Sequence, residues 1–264
     1  MRKKRGANVP RDMPLPLVLM PLWMQIIDWA SEFPDVRRDL VSVELFAGEM
    51  QITRSLISDH NARAVAFDKA YFKDDSEDLC SQKGFRKAIF LVLRIAKGGS
   101  LWAAPVCSSW GWVGRAATKR SMMCPGGFVW NNKVRQANRM VVLLSMIFLL
   151  AFSRGVDCWL EQPSSSVMKA FSPMKEILTT FMPFHQQVWL SAYGAQSHKP
   201  LTIWSSNACV ALLARKKPKA VFKKLYKMKN GRTQGVVSDL KQSAAYPVAF
   251  GVAVANIIMK SSKP

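Results

Sequence analysis

Between positions 40 and 163 the chain alternates short apolar runs with helical stretches of ten or more residues, and this alternation constrains the fold more than any other feature. "LVSVELFAG" ends in Gly48 and leads into the helical "EMQITRSLISDH". "ARAVAFD", Ala62 to Asp68, ends in an acid, and "GFRKAIFLVLRIAKGG", Gly84 to Gly99, predicts an amphipathic helix closed by two glycines. "SLWAAPV" gives a third strand. A polar loop rich in Arg, Lys, Gly and Trp then runs from Cys107 to about Asn131. A helix over 133–152 precedes a fourth strand, "VDCWLEQP". Strands alternating with helices of this length predict the α/β class: a doubly wound, mostly parallel sheet with helices on both faces. Ligands of such sheets bind beyond the carboxyl ends of the strands, so Ala47, Gly48, Asp68, 105–109 and 161–164 come first.

The second half is less regular. "HQQVWLSAYG" and "KPLTIWSSN" predict a β-hairpin turning at "AQSH", and "SAAYPVAFGVAVANIIMK" predicts a small-residue helix packed on the sheet. Between them 214–235 is densely basic, with Phe222 and Tyr226. "WMQIIDWASEF" predicts a helix stopped by Pro34, and 1–21, basic and Pro-rich, reads as a flexible arm on a single domain over 22–264.

Lys and Arg number 38 against 17 Asp and Glu, a net charge of +21, which favours nucleic acid or an anionic membrane face as partner over an acidic protein. The apolar run Met140 to Phe152 falls short of the roughly 20 residues a bilayer needs, so it predicts a buried helix and no stable membrane insertion. Pro10, Pro14, Pro16 and Pro21 break the apolar stretch behind the basic N-terminus, which predicts an intracellular rather than a secreted protein. "RKKR" is either a nuclear address or part of the basic arm. Cysteines at 80, 107, 124, 158 and 209 form no CxxC pair and, with three histidines, offer little to a metal; they suit a reducing compartment.

Four strand ends carry, in order, "ELFAG", the acid Asp68, "APVCSS" and "LEQPSSS". This order resembles the DNA (cytosine-5) methyltransferases, a class I S-adenosylmethionine-dependent group. "YGAQSHKPLTIWSSN" is similar to their late motif and "SAAYPVAFGVAVAN" to their closing helix, so the resemblance spans about Val41 to Ile257. It implies a Rossmann-like methyltransferase sheet of seven strands, S-adenosylmethionine as cofactor, and cytosine in nucleic acid, DNA rather than RNA, as substrate. Cys107 is then the nucleophile that adds to C6, a thiolate favoured by strand-end amides. Glu161 contacts N3 and the exocyclic amine of the flipped base.

Phe46, Ala47, Gly48, Asp68, Asp78 and Pro105 would hold the cofactor. Ser108, Ser109, Trp110, Arg115, Gln162, His198 and Lys199 would meet the nucleic acid, with Trp110, Trp112 and Trp130 able to stack on an extruded base. The pattern departs from the family in several places. Glu49 stands where the methionine carboxylate should approach, Val106 replaces the proline before the cysteine, Ser108 and Gln162 replace Gln and Asn, and the family's Gln-x-Arg-x-Arg strand is missing. A short basic insert at about 212–237 takes the place of a target recognition domain, leaving open a separate recognition subunit.

Plainer readings stand beside each of these residues. Cys107 also reads as a loop thiol, Glu161 as an acceptor for the loop that follows it, Asp68 as a solvated strand-end carboxylate, and the tryptophans as anchors to the core. The alternative for the whole chain is a catalytically inactive methyltransferase-fold protein that holds nucleic acid through its basic face.

Overall fold

The computed structural model describes residues 33–219 and 245–262, five helical positions between 24 and 31, and the backbone of two short strands between 226 and 235. The basic arm expected over 1–21 lies outside the described residues.

Strands β1 (Leu40–Leu45), β2 (Ala64–Phe67), β3 (Ile95–Ala103) and β4 (Asp157–Pro163) pair in parallel. β5 (Phe184–Trp189) and β6 (Pro200–Ser205) form the expected antiparallel pair, and β6 is also antiparallel to β4. The sheet is therefore mixed, mostly parallel, with the order β2-β1-β3-β4-β6-β5. Six strands stand here, among the described residues, against the seven that the resemblance implies. β7 (Tyr226–Lys229) and β8 (Arg232–Gly235) form a separate antiparallel pair within the basic insert.

Parallel strands are buried on both faces, so each parity needs its own apolar partners. Val43 and Leu45, Leu101 and Ala103, and Cys158 and Leu160 share one core with residues of α2 (Gln82–Arg94), α4 (Asn132–Ser153) and α5 (Ser172–Thr180). The opposite parity, Trp102 and Trp159, packs with Ile52 and Leu56 of α1 (Gln51–His60) and with Phe250 and Val254 of α6 (Val248–Ser261). On this second parity lie Ser42, Glu44, Ser100 and Glu161, all buried. Helix α6 comes close to α1 at Gly251, where a Cβ would stand 2.6 Å from the Gln51 carbonyl oxygen.

One boundary changes. The helix anticipated through Gly99 stops at Arg94, because Gly98 and Gly99 belong to a bulge in β3. The β1–β3 register steps from Leu40 opposite Ile95 to Ser42 opposite Ser100. Gly98 takes φ +74° there, and a Cβ on Gly99 would meet the Val41 carbonyl oxygen at 2.7 Å. The apolar run from Met140 belongs to a helix of 22 residues, long and apolar enough to cross a membrane by length and composition alone. Half of its most apolar window is buried inside the protein, where Val141, Leu144, Ile147 and Phe148 join the core.

Candidate active site at the carboxyl edge of the sheet

The four parallel strands bring their carboxyl ends to one edge, and antiparallel β6 starts there, with Leu201 opposite Pro163. Strand order reverses between β1 and β3, the position at which open sheets of this class bind their ligands.

The turn after β1 places Phe46, Gly48 and Met50 at φ +60°, +53° and +54°. Left-handed geometry is costly for Phe and Met, so neighbouring bonds must hold it. Phe46 N and Ala47 N donate to Phe67 O at 2.8 and 3.3 Å, and the Phe46 ring packs on the core. Gly48 N donates to Asp68 Oδ2 at 3.0 Å, Ala70 N donates to Asp68 Oδ1 at 2.8 Å, and Tyr71 Oη donates to Gly48 O at 2.8 Å. Asp68 thus clasps backbone with both oxygens, and only its remaining lone pairs can meet a ribose. Asp78 accepts from Cys80 N at 2.8 Å and pairs with Lys69 at 3.1 Å, so it shapes the turn ahead of α2. Glu49 is exposed and solvated.

Under this turn lies Glu44, a buried carboxyl that the sequence reading passed over. Its Oε2 accepts from Thr53 N at 2.9 Å and Thr53 Oγ1 at 2.6 Å, capping α1 from the neighbouring strand where Met50 supplies no side-chain cap. Oε1 has no partner among the described residues. Burial pushes the carboxyl up to about 7, against the opposing pull of the Thr53 bonds. Polar Ser42 and Glu44 alternating with Val43 and Leu45 in a doubly buried strand is the signal that marks it.

After β3 the chain turns through Pro105, whose carbonyl accepts Gln162 Nε2 at 2.7 Å, while Gln162 Oε1 accepts Ser166 Oγ at 3.0 Å. Gln162 is buried and ties the two strand-end loops together. Cys107 is half-buried, and its carbonyl accepts Trp110 N and Gly111 N at 2.9 and 3.1 Å. Burial pushes its thiol up, Glu161 adds to the rise, and Lys199 opposes it. The expected net lowering of this thiol by amides is therefore absent.

Glu161 is buried at the end of β4; Oε2 accepts from Tyr246 Oη at 3.1 Å, and Oε1 has no partner among the described residues. Burial also raises this carboxyl, opposed by Lys199 and by the Tyr246 bond. Cys107, Glu161, Lys199 and Tyr246 thus come together from four separate segments. Tyr246 is the member that sequence reasoning missed.

Other expected contacts sit differently. Trp110 is 0% exposed, set between the Phe171 ring at 5.4 Å and the Arg120 guanidinium 3.5 Å above its face, so it anchors the loop and presents no face to a base. Ser109 is buried and accepts from Arg120 Nη2 at 3.3 Å. Arg120, 2% exposed, also donates to Pro125 O and, at 3.2 Å, to Val134 O; burial lowers it to about 10. Ser108 is exposed, as is Arg115, the first residue of the short helix α3 (Arg115–Thr118), and Arg115 Nη2 reaches Ser165 O at 3.4 Å. His198 Nδ1 lies 3.0 Å from Ser191 Oγ, with its ring edge-on to Trp189.

A separate cleft of about 290 Å³, lined by Phe33, Val36, Phe90 and Arg94 among others, opens at the amino edge of the sheet, away from this chemistry. No protein-family model, no curated protein and no solved structure matches the chain.

Proposed function

We propose that the protein is an S-adenosylmethionine-dependent methyltransferase acting on cytosine in nucleic acid, DNA rather than RNA, through a covalent adduct at Cys107. The mixed six-stranded sheet is compatible with a Rossmann-like methyltransferase sheet. The supporting observation is Glu161: a buried carboxyl beside Cys107 with one oxygen held by Tyr246 and the other unpartnered among the described residues. Leaving such an oxygen without a partner costs about 1–3 kcal/mol, which a ligand in the crevice would recover.

Its raised affinity for protons suits a group that donates to cytosine N3. As the Cys107 thiol loses its proton to solvent, Sγ bonds to C6. The C5=C6 pair shifts to C4–C5, the C4=N3 pair moves onto N3, which takes the Glu161 proton, and the resulting enamine makes C5 nucleophilic. Lys199 stabilises the thiolate that begins this step.

The residues at the turn fit a cofactor whose sulfonium and ammonium outweigh its carboxylate. Glu44 keeps an unpartnered buried oxygen, Asp68 keeps lone pairs, and a Cβ on Gly48 would meet nothing within 4 Å. When bound, this cofactor supplies an activated methyl group. The exposed Glu49 carboxylate stays in water, where screening limits its repulsion.

The second reading, a nucleic-acid holder without catalysis, is favoured by the clasp of Asp68 and Tyr71 on the turn and by the raised Cys107 thiol. Calorimetry with S-adenosylmethionine, then incubation with 5-fluorocytosine DNA and that cofactor, separates the two. The wild-type protein should bind the cofactor and form an adduct that withstands denaturing electrophoresis, and Cys107→Ser should form none. No heat and no adduct would leave the second reading; an adduct in the serine variant would remove Cys107 from the mechanism.

A further inference from the structure

The loop between Cys107 and α4 turns apolar side chains outward. Phe128, Val129 and Trp130 are consecutive and 49%, 50% and 80% exposed, with Met123 at 95%. Exposed apolar clusters of this kind mark binding surfaces more often than chance. Their backbone is well tied. Phe128 N donates to Thr118 O at 2.8 Å, Asn131 N to Phe128 O at 3.0 Å, and Asn138 Nδ2 to Gly126 O at 2.9 Å, with Arg120 buried beneath. The aromatic rings are held out on a bonded frame.

Along the sequence the charge here has one sign. Between Asp78 and Asp157 the chain has no acidic residue and twelve Lys and Arg. Arg115, Lys119, Lys133, Arg135 and Arg139 are exposed in and just after this loop. The backbone of β8 also passes beside the turn at Trp112–Gly114, and strands β7 and β8 carry Lys227, Lys229 and Arg232 and no acid.

An apolar aromatic surface in a basic setting asks for a ligand that alternates flat apolar faces with anions a few ångströms apart. An unpaired nucleic-acid strand offers that, with bases for the rings and phosphates for the Lys and Arg. A duplex keeps its bases stacked inside and presents mainly phosphate to such a surface.

We infer that the Phe128–Trp130 edge is a stacking platform for single-stranded nucleic acid. It is continuous with the candidate site: Cys107 O accepts Trp110 N, Trp110 lies under Arg120, and Thr118 O, just before Arg120, accepts Phe128 N. The inference goes beyond the methyltransferase reading and holds whether or not Cys107 reacts.

Fluorescence anisotropy with a labelled oligothymidine and with a duplex of equal length tests it. Both side chains are exposed, so the variant Phe128→Ala/Trp130→Ala should keep the wild-type unfolding midpoint. Its single-strand affinity should fall at least 10-fold and its duplex affinity less than about 2-fold, since each lost stacking contact weakens only the strand with free bases. Lys119→Glu should weaken both ligands. Equal losses for strand and duplex, or no loss for the strand, would overturn the platform. So would unchanged strand binding together with lost binding to phosphatidylserine vesicles, which would assign the surface to a membrane. Failure of cofactor binding would strike the methyltransferase reading alone.

Discussion

The turn after β1 and the loop after β3 lie at the same edge of the sheet and are made from opposite materials. Thirteen of the 17 acidic residues stand at or before Asp78, whereas the loop belongs to the long acid-free stretch that follows. In the turn, carboxylates satisfy backbone N–H groups: Asp68 on Gly48, Glu44 on Thr53, Glu77 on Asp68. In the loop, a guanidinium satisfies carbonyls: Arg120 on Pro125 and Val134. Both are ways to fix irregular backbone, one through buried acceptors and the other through a buried donor.

If the loop depends on its buried cation, Arg120→Met should have the largest effect. It strands the Pro125 and Val134 carbonyls and removes the stacking on Trp110, for an expected loss of about 3–4 kcal/mol in urea unfolding. An unchanged midpoint would show that the two sides are not anchored in mirrored ways.

The anionic side should respond to pH instead. Glu44 rises from 4.5 to about 7 on folding, so the folded state holds a proton that the unfolded chain releases in this interval. Stability from this group is therefore complete below about 4.5, falls as pH rises toward 7, and levels off above it, a change of about 3 kcal/mol. Glu44→Gln should flatten most of this slope in urea midpoints taken from pH 5 to 8, with Glu161 contributing a remainder of the same sign. A slope untouched by the substitution would assign it elsewhere. Gly48→Ala probes the turn most gently. The site has room for a methyl group, so only the left-handed backbone resists, and the expected loss is about 1 kcal/mol by thermal unfolding. A loss several times larger would reveal crowding at the turn.

Much of the architecture was legible in sequence because it follows from periodicity. The β1–α1–β2–α2–β3 order, helix α4, strand β4, the β5–β6 pair and helix α6 stand where apolar spacing and turn residues placed them. The misread end of α2 has a tertiary cause: two glycines look like a helix stop until the approach of the Val41 carbonyl shows why they sit in a bulge. Strand-end reasoning also singled out Cys107 and Glu161, whereas Lys199 was reached only through the family resemblance; their mutual proximity depends on β6 running antiparallel to β4.

What could not be read was which polar groups go inside. Nothing near Arg120 distinguishes it from the exposed Arg115 and Lys119, because its partner Trp110 and the Val134 carbonyl reach it only in three dimensions. The same holds for the tryptophans. Trp110 is buried and Trp130 exposed within one loop of irregular backbone, where no periodicity assigns a face.

Arg120 has one further consequence. Its acceptors lie on both arms of the loop, before and after the Phe128–Trp130 tip, so partial fraying cannot release it without leaving a guanidinium unsolvated inside the protein. The segment from Ser109 to Val134 must then open as one cooperative unit. The amide hydrogens of Gly127 and Phe128, bonded to Cys124 and Thr118, would exchange with water together and slowly.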